Sequence, residues 1–210
     1  YIPCFGLTGP NNGSDATGSI DEGEVIYVDG KPKIKLNINK RYITLAPVAN
    51  LMGLAFNLKD YNNTLSNNDG ITLALVERDH PGLIQESYHN PLNAGFPNGT
   101  IKGEIIIDPE QIIGGPQRIG EGWKMLMECL SAGRAVSLPA TANASSKVAT
   151  FGIINYAKVR KQFNMPLQEM EAIQEKINKM VFNTWIIQSS IELTNDILDQ
   201  NNSPAVLSAI

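Results

Sequence analysis

The scarcities of this chain narrow its class before any motif is weighed. Cys4 and Cys129 are the only cysteines in 210 residues, far apart, with no Cys-x-x-Cys spacing and no His nearby to complete a metal site. No metal is therefore expected, and both thiols should be reduced, as in a cytoplasmic protein. No apolar run approaches the ~20 residues that a bilayer-spanning helix needs, and no secretory signal pattern is visible, so no transmembrane segment is expected. Lys and Arg never cluster densely and the net charge is −4, which argues against nucleic acid as a partner. Lys31, Lys33 and Lys35 alternate with other residues and Lys40-Arg41 follows shortly after, a spacing that reads as the solvated face of a strand. Gly-Lys-Ser/Thr and Gly-x-Gly-x-x-Gly are both missing, which removes the familiar phosphate loops.

What is present begins with a glycine-rich run over residues 4–16, Cys-Phe-Gly-Leu-Thr-Gly-Pro-Asn-Asn-Gly-Ser-Asp-Ala, directly after a short apolar opening. Glycines permit positive φ and close approach, and successive exposed N–H groups form concave nests for anions or carbonyls. A surface Ω-loop has the same composition, and both readings stay open on these residues alone.

Two halves with different periods follow. Short β-type runs recur over residues 24–28, 33–36, 42–45, 71–76, 83–87 and 101–107, punctuated by Asp29-Gly30, Asn62-Asn63, Asn67-Asn68-Asp69-Gly70 and Asn98-Gly99. From Gly120 onward the spacing turns helical: Trp123, Leu126, Met127 and Leu130, then Val148, Phe151 and Ile154 after a break at Pro139. Ile173, Ile177, Met180, Val181, Ile187, Ile191, Ile197 and Leu198 mark one apolar face of a second long helix, with a turn over residues 162–166 between the two. Strands followed by helices predict an α+β chain: an antiparallel β-barrel or sandwich over residues 1–117, then part of an up-down helical bundle over residues 118–210. Two helices of this length cannot bury both faces against one another. The abrupt opening on Tyr1 and the apolar ending Val206-Leu207-Ser208-Ala209-Ile210 suggest an internal piece of a longer protein.

Taken together, several segments resemble the acyl-CoA dehydrogenase family. Leu7-Thr8-x-Pro10-x-x-Gly13-Ser14-Asp15 resembles the loop that opens its middle β-domain, and Tyr42-Ile43-Thr44 its Trp-Ile-Thr flavin motif. Ile112-Ile113-Gly114-Gly115 with Gly120-Glu121-Gly122-Trp123-Lys124 is similar to the exit into the first long helix, and Arg160-Lys161-Gln162-Phe163 to its Arg-Lys-Thr-Phe segment. Residues 4–10, His89-Asn90-Pro91-Leu92-Asn93 and Ser203-Pro204 with residues 206–210 look most like the large bacterial subgroup of fatty-acid degradation. That subgroup also agrees with Gly9, where most of the family has Glu.

The resemblance implies an FAD-dependent enzyme that dehydrogenates fatty acyl-CoA to trans-2-enoyl-CoA in β-oxidation, with an electron-transferring flavoprotein as acceptor. It implies a homodimer or homotetramer, cytoplasmic or peripheral to the inner membrane. Phe5, Leu7, Thr8, Gly13, Ser14, Tyr42, Ile43 and Thr44 would face the flavin, and Arg160 and Gln162 its pyrophosphate in a neighbouring subunit. Ser14, Ser131 and Arg134 would meet the acyl-CoA. No catalytic residue is assigned within the segment: Gly133 stands where some members place the base, so a Glu is expected beyond Ile210 and the isolated segment should be inactive. Glu121 and Glu128 read as helix-start and surface carboxylates, and His80 and His89 as turn residues. An oxidase or monooxygenase on the same scaffold, or a non-catalytic β-barrel binding module, are the competing readings.

Overall fold

A computed structural model describes residues 1–18 and 20–200, with only the backbone at Ser87, Ser131, Ala132 and Ala135. The chain divides into two compact units, Tyr1–Leu126 and a second that begins at Met127.

The first unit is a curled seven-stranded sheet in the order β1-β4-β2-β3-β7-β6, with β5 also on β4. The strands are β1 (Pro3–Gly6), β2 (Glu22–Val28), β3 (Lys31–Thr44), β4 (Leu51–Lys59), β5 (Gly70–Glu77), β6 (Leu83–Tyr88) and β7 (Asn98–Ile107). Most pairings are antiparallel, but β1 and β2 both run parallel to β4, so the sheet is mixed. Asp29 and Gly30 carry the hairpin between β2 and β3 with φ of 51° and 75°, the two positive angles of a type I′ turn.

One strand escapes period-2 reading altogether. β4 buries Met52, Leu54, Ala55, Phe56 and Leu58 completely, from both faces. A strand covered on both faces shows a continuous apolar run instead of alternation, which periodicity alone does not assign. β5 pairs along the length of β4 on one edge. The other edge is shared: β1 takes Leu51 to Leu54 and β2 takes Asn57 to Lys59. The glycine-rich segment between β1 and β2 is thus an excursion from a single sheet edge that returns to the same edge.

β3 is longer than its two sequence runs suggested because a bulge lets one strand bend through both. Its register against β7 shifts between Lys40 and Ile43, and Tyr42 sits there with φ of 58°. On the regular part Ile34, Leu36, Ile38 and Lys40 share the inward face, all 2% exposed or less. Lys40 therefore belongs to the core face, correcting its reading as a solvated residue. Lys33 and Lys35 behave as read, pairing with Asp108 and Glu104 in partly exposed ion pairs.

The second unit is a helical hairpin. α1 (Gly122–Ala132), which begins before Met127, leads through a π-helical turn, Gly133–Ser137, into α2 (Leu138–Val159), with Pro139 as the second residue of α2. A two-strand β-ribbon, β8 (Lys161–Gln162) and β9 (Met165–Pro166), turns at Phe163 and Asn164 with positive φ and leads to α3 (Glu171–Asp199). The helices run antiparallel, tied by Asn143 to Gln188 at 2.6 Å and Thr150 to Thr184 at 3.1 Å. Ile173, Ile177, Met180, Ile187 and Ile191 lie on the half-buried face of α3, while Val181 is exposed with Phe182 and Trp185. No helix among the described residues is long and apolar enough to cross a membrane.

Candidate functional site

The excursion from β4 is seated on the β3 bulge by the backbone itself. The Arg41 N–H donates to the Thr8 carbonyl at 2.9 Å, and the Lys40 ammonium and the Asn12 amide donate to the Leu7 carbonyl at 3.2 and 3.1 Å. Asn12, 4% exposed, also accepts the Gly9 N–H on its side-chain oxygen at 2.8 Å, closing a tight turn over residues 9–12. Gly9 is required by this seat. A Cβ there would stand 2.9 Å from the Asn39 carbonyl oxygen and from the Asn12 side-chain oxygen, and the backbone carbonyl has no room to withdraw. The position where most of the resembled family has Glu is thus one of close backbone approach in this chain.

With the inward carbonyls taken, the polar side chains on the rim are left outward. The hydroxyls of Thr8, Ser14 and Thr44 make no hydrogen bond to another described residue, and Ser14 and Thr44 are exposed. Tyr42, on the bulge itself, is 52% exposed. Its left-handed backbone at the bulge is a strained conformation for a bulky residue, of the kind that clusters at binding sites. The ring is held from two sides: the His89 imidazole lies 4.9 Å away, centroid to centroid and tilted by 49°, and the Arg41 guanidinium carbon is 5.1 Å from the centroid. His89 is fixed in turn by Thr100, 2.8 Å from its Nε2, and by its own N–H to the Asn98 carbonyl at 2.7 Å. Asn98 donates to the Tyr42 carbonyl at 3.2 Å.

The predicted residues fall out as follows. Leu7, Thr8, Tyr42 and Thr44 are brought to one edge of the first unit, with Phe5 on β1, its ring over Gly53. Gly13 and Ser14 lie farther out on the excursion, exposed. Ile43 points into the core at 3% exposure, so only its backbone can meet a ligand. In the second unit Arg134 sits on the π-helical turn and Arg160 caps the C-terminus of α2. They flank the 22-residue α2, whose axis is roughly 33 Å long at 1.5 Å per residue. Gln162 is exposed on β8. The Ser131 side chain and residues 201–210, with Ser203 and Pro204, lie outside those described. Cys4 is buried on β1, and burial pushes its thiol up to about 11, which keeps it protonated. Among the described residues no group of His, Cys, Asp and Glu side chains could hold a metal.

Sequence reading missed His89, Asn98, Asn12 and the pair Lys40 and Asp21. His89 and Tyr42 are 47 positions apart, and only the β3–β7–β6 pairing brings them together. Lys40 did carry a signal: it continues the even-numbered series Ile34, Leu36, Ile38. Two clefts of the first unit, about 570 and 440 Å³, are lined by other residues, and Thr8, Tyr42 and Thr44 line neither.

The architecture is a mixed curled sheet followed in the chain by an antiparallel helical hairpin. No family model matches the chain. Over 98 residues, 45% of this chain and 58% of the relative, it is 43% identical to Protein HemX of Proteus mirabilis. Over 191 residues, 85% of this chain and 45% of the relative, it is 30% identical to the probable acyl-CoA dehydrogenase YngJ of Bacillus subtilis. In fold it is similar to butyryl-CoA dehydrogenase of Megasphaera elsdenii, with a TM-score of 0.76 and 23% identity over 99% of this chain and 51% of that one. A glutaryl-CoA dehydrogenase of Mycobacterium smegmatis in complex with FADH2 gives a TM-score of 0.76 at 23% identity, covering 97% of this chain and 48% of that one. Over most of its length the chain is thus similar to acyl-CoA dehydrogenases in sequence, and it shares the fold of their solved structures. It spans about half the length of the curated relatives it matches.

Proposed function

We propose that the whole protein is an FAD-dependent acyl-CoA dehydrogenase acting on fatty acyl-CoA, and that this chain supplies the flavin-facing edge of its site. The observation that carries the reading is the excursion seated on the β3 bulge, with the Thr8, Ser14 and Thr44 hydroxyls bonded to no other described residue and the Tyr42 ring exposed on the bulge. This donor set suits FAD: an isoalloxazine has a polar edge of carbonyls and ring nitrogens and an apolar face, matched by fixed hydroxyls and an aromatic wall. When bound, FAD would supply the acceptor for the hydride leaving the β carbon of a saturated acyl thioester.

Each residue then has a role. Leu7 and Thr8 serve the pyrimidine edge, Thr44 the N5 side, and Tyr42, braced by His89 and Arg41, the wall. Gly13 and Ser14 stand where the acyl thioester and pantetheine would approach. Arg160 and Gln162 suit a phosphate group, a guanidinium being able to grip one with two parallel N–H bonds. Ser131 and Arg134 are assigned to CoA. Gly133 has no side chain to offer as the base, so no residue of this chain is assigned the α proton. An electron-transferring flavoprotein would be the electron acceptor, and the whole protein a cytoplasmic homo-oligomer.

The test is anaerobic titration of the full-length protein with a saturated acyl-CoA. The protein should be yellow, bleach on mixing, and regain colour with an electron-transferring flavoprotein. Recovery of colour with oxygen alone at a comparable rate would make it an oxidase. A colourless protein that retains no added FAD would leave only the binding-module reading.

A further inference from the structure

Lys40 is among the largest fully buried side chains of the first unit and carries a charge, which a core tolerates only when that charge is satisfied. Burial pulls its ammonium down from the ordinary lysine value, while the Asp21 carboxylate, by charge and by hydrogen bond, pushes it back. The geometry is a three-way junction. The Lys40 ammonium lies 2.9 Å from the Asp21 Oδ2 and donates to the Leu7 carbonyl at 3.2 Å, and the same Asp21 oxygen accepts the Asn39 N–H at 3.0 Å. Its aliphatic stem passes over Gly6, where a Cβ would come within 3.1 Å of the Lys40 Cγ. Asp21 is the last residue before β2, and Leu7 the first after β1.

The two ends of the excursion are therefore tied by one buried cation. A neutral hydrophobic side chain would fill the same space at no loss of stability: removing a whole buried ion pair is often neutral or stabilising, whereas removing one partner is costly. What a hydrophobic residue cannot do is donate to the Leu7 carbonyl. We propose that Lys40 and Asp21 are positioning residues for the cofactor, a buried strap that fixes the Leu7-Thr8 backbone at the spacing the flavin edge requires. The inference rests on the flavin reading above and adds to it residues that touch no ligand.

The test uses the full-length protein and the variant K40M/D21N, which removes both charges while the amide oxygen that replaces the carboxylate can still accept the Asn39 N–H. Three quantities are read: the melting temperature without cofactor, amide exchange over residues 7–12, and the FAD Kd by fluorescence quenching. The strap predicts an unchanged or higher melting temperature, amide exchange at least tenfold faster over residues 7–12, and an FAD Kd at least tenfold weaker. If the double variant fails to fold, D21N alone serves, with the Kd weakened at least threefold. Unchanged exchange and unchanged Kd, in a variant whose parent binds FAD, overturn the proposal. So does a Kd that weakens only as far as the melting temperature falls. A parent protein that binds no FAD overturns the flavin reading instead, and exchange over residues 7–12 still reports separately on the strap.

Discussion

Replacing Thr8 and Thr44 together by valine is expected to yield a folded full-length protein that loses its flavin. Both hydroxyls make no bond within the described protein, so their removal leaves no buried group unsatisfied. Valine matches threonine in shape and is favoured on strands such as β3. The stability of the first unit should change by less than ~0.5 kcal/mol, as for ordinary surface substitutions. Two lost hydrogen bonds to the cofactor amount to about 1–3 kcal/mol together, roughly a 10- to 100-fold weaker FAD Kd. The paired readout is a melting curve without cofactor and a fluorescence titration with it. A double variant that binds FAD like its parent would remove the rim from the site.

The second large effect concerns the sheet that carries the rim. Gly103 lies at the centre of β7, opposite Ile38 on β3 and Leu83 on β6, with φ of 146°. An added Cβ would stand 1.9 Å from the Gly82 carbonyl oxygen, a backbone atom that moves only if β6 moves. Gly103→Ala combines a disfavoured backbone angle with that clash, and about 2–4 kcal/mol of destabilisation is expected. Gly13→Ala is the control, since a Cβ there meets nothing within 4 Å and no positive φ is needed. Denaturant midpoints should separate the two clearly. Equal midpoints would mean that β6 and β7 are not held as tightly as their pairing indicates.

How much of this was legible beforehand depended on whether a signal was local. The hairpin at Asp29-Gly30 and the apolar face of α3, Val181 apart, are written in nearby residues and stand as read, whereas the expected break at Pro139 is instead a π-helical turn, Gly133–Ser137, that joins α1 to α2. The α+β class follows from the change of period. β4 was illegible because its burial on both faces erases alternation, and with it went the topology, since β1, β2 and β5 all pair with β4. The candidate site divides the same way. Thr8, Tyr42 and Thr44 could be named from short motifs by resemblance. His89 against Tyr42, Asn98 on the Tyr42 carbonyl and Lys40 between Asp21 and Leu7 depend on strand register and on a bulge, which no spacing in the chain encodes. Lys40 was misread because charge outweighed parity: residue type argued for solvent, position on β3 for the core.

The central claim is that residues 7–14 and 41–44 form one ligand-facing edge. Amide exchange of the full-length protein with and without saturating FAD tests it most directly. The account predicts that both segments gain protection together on FAD binding, while the 570 Å³ cleft around Glu77, His80 and Glu110 stays unchanged. Protection confined to that cleft, or to only one of the two segments, would contradict it.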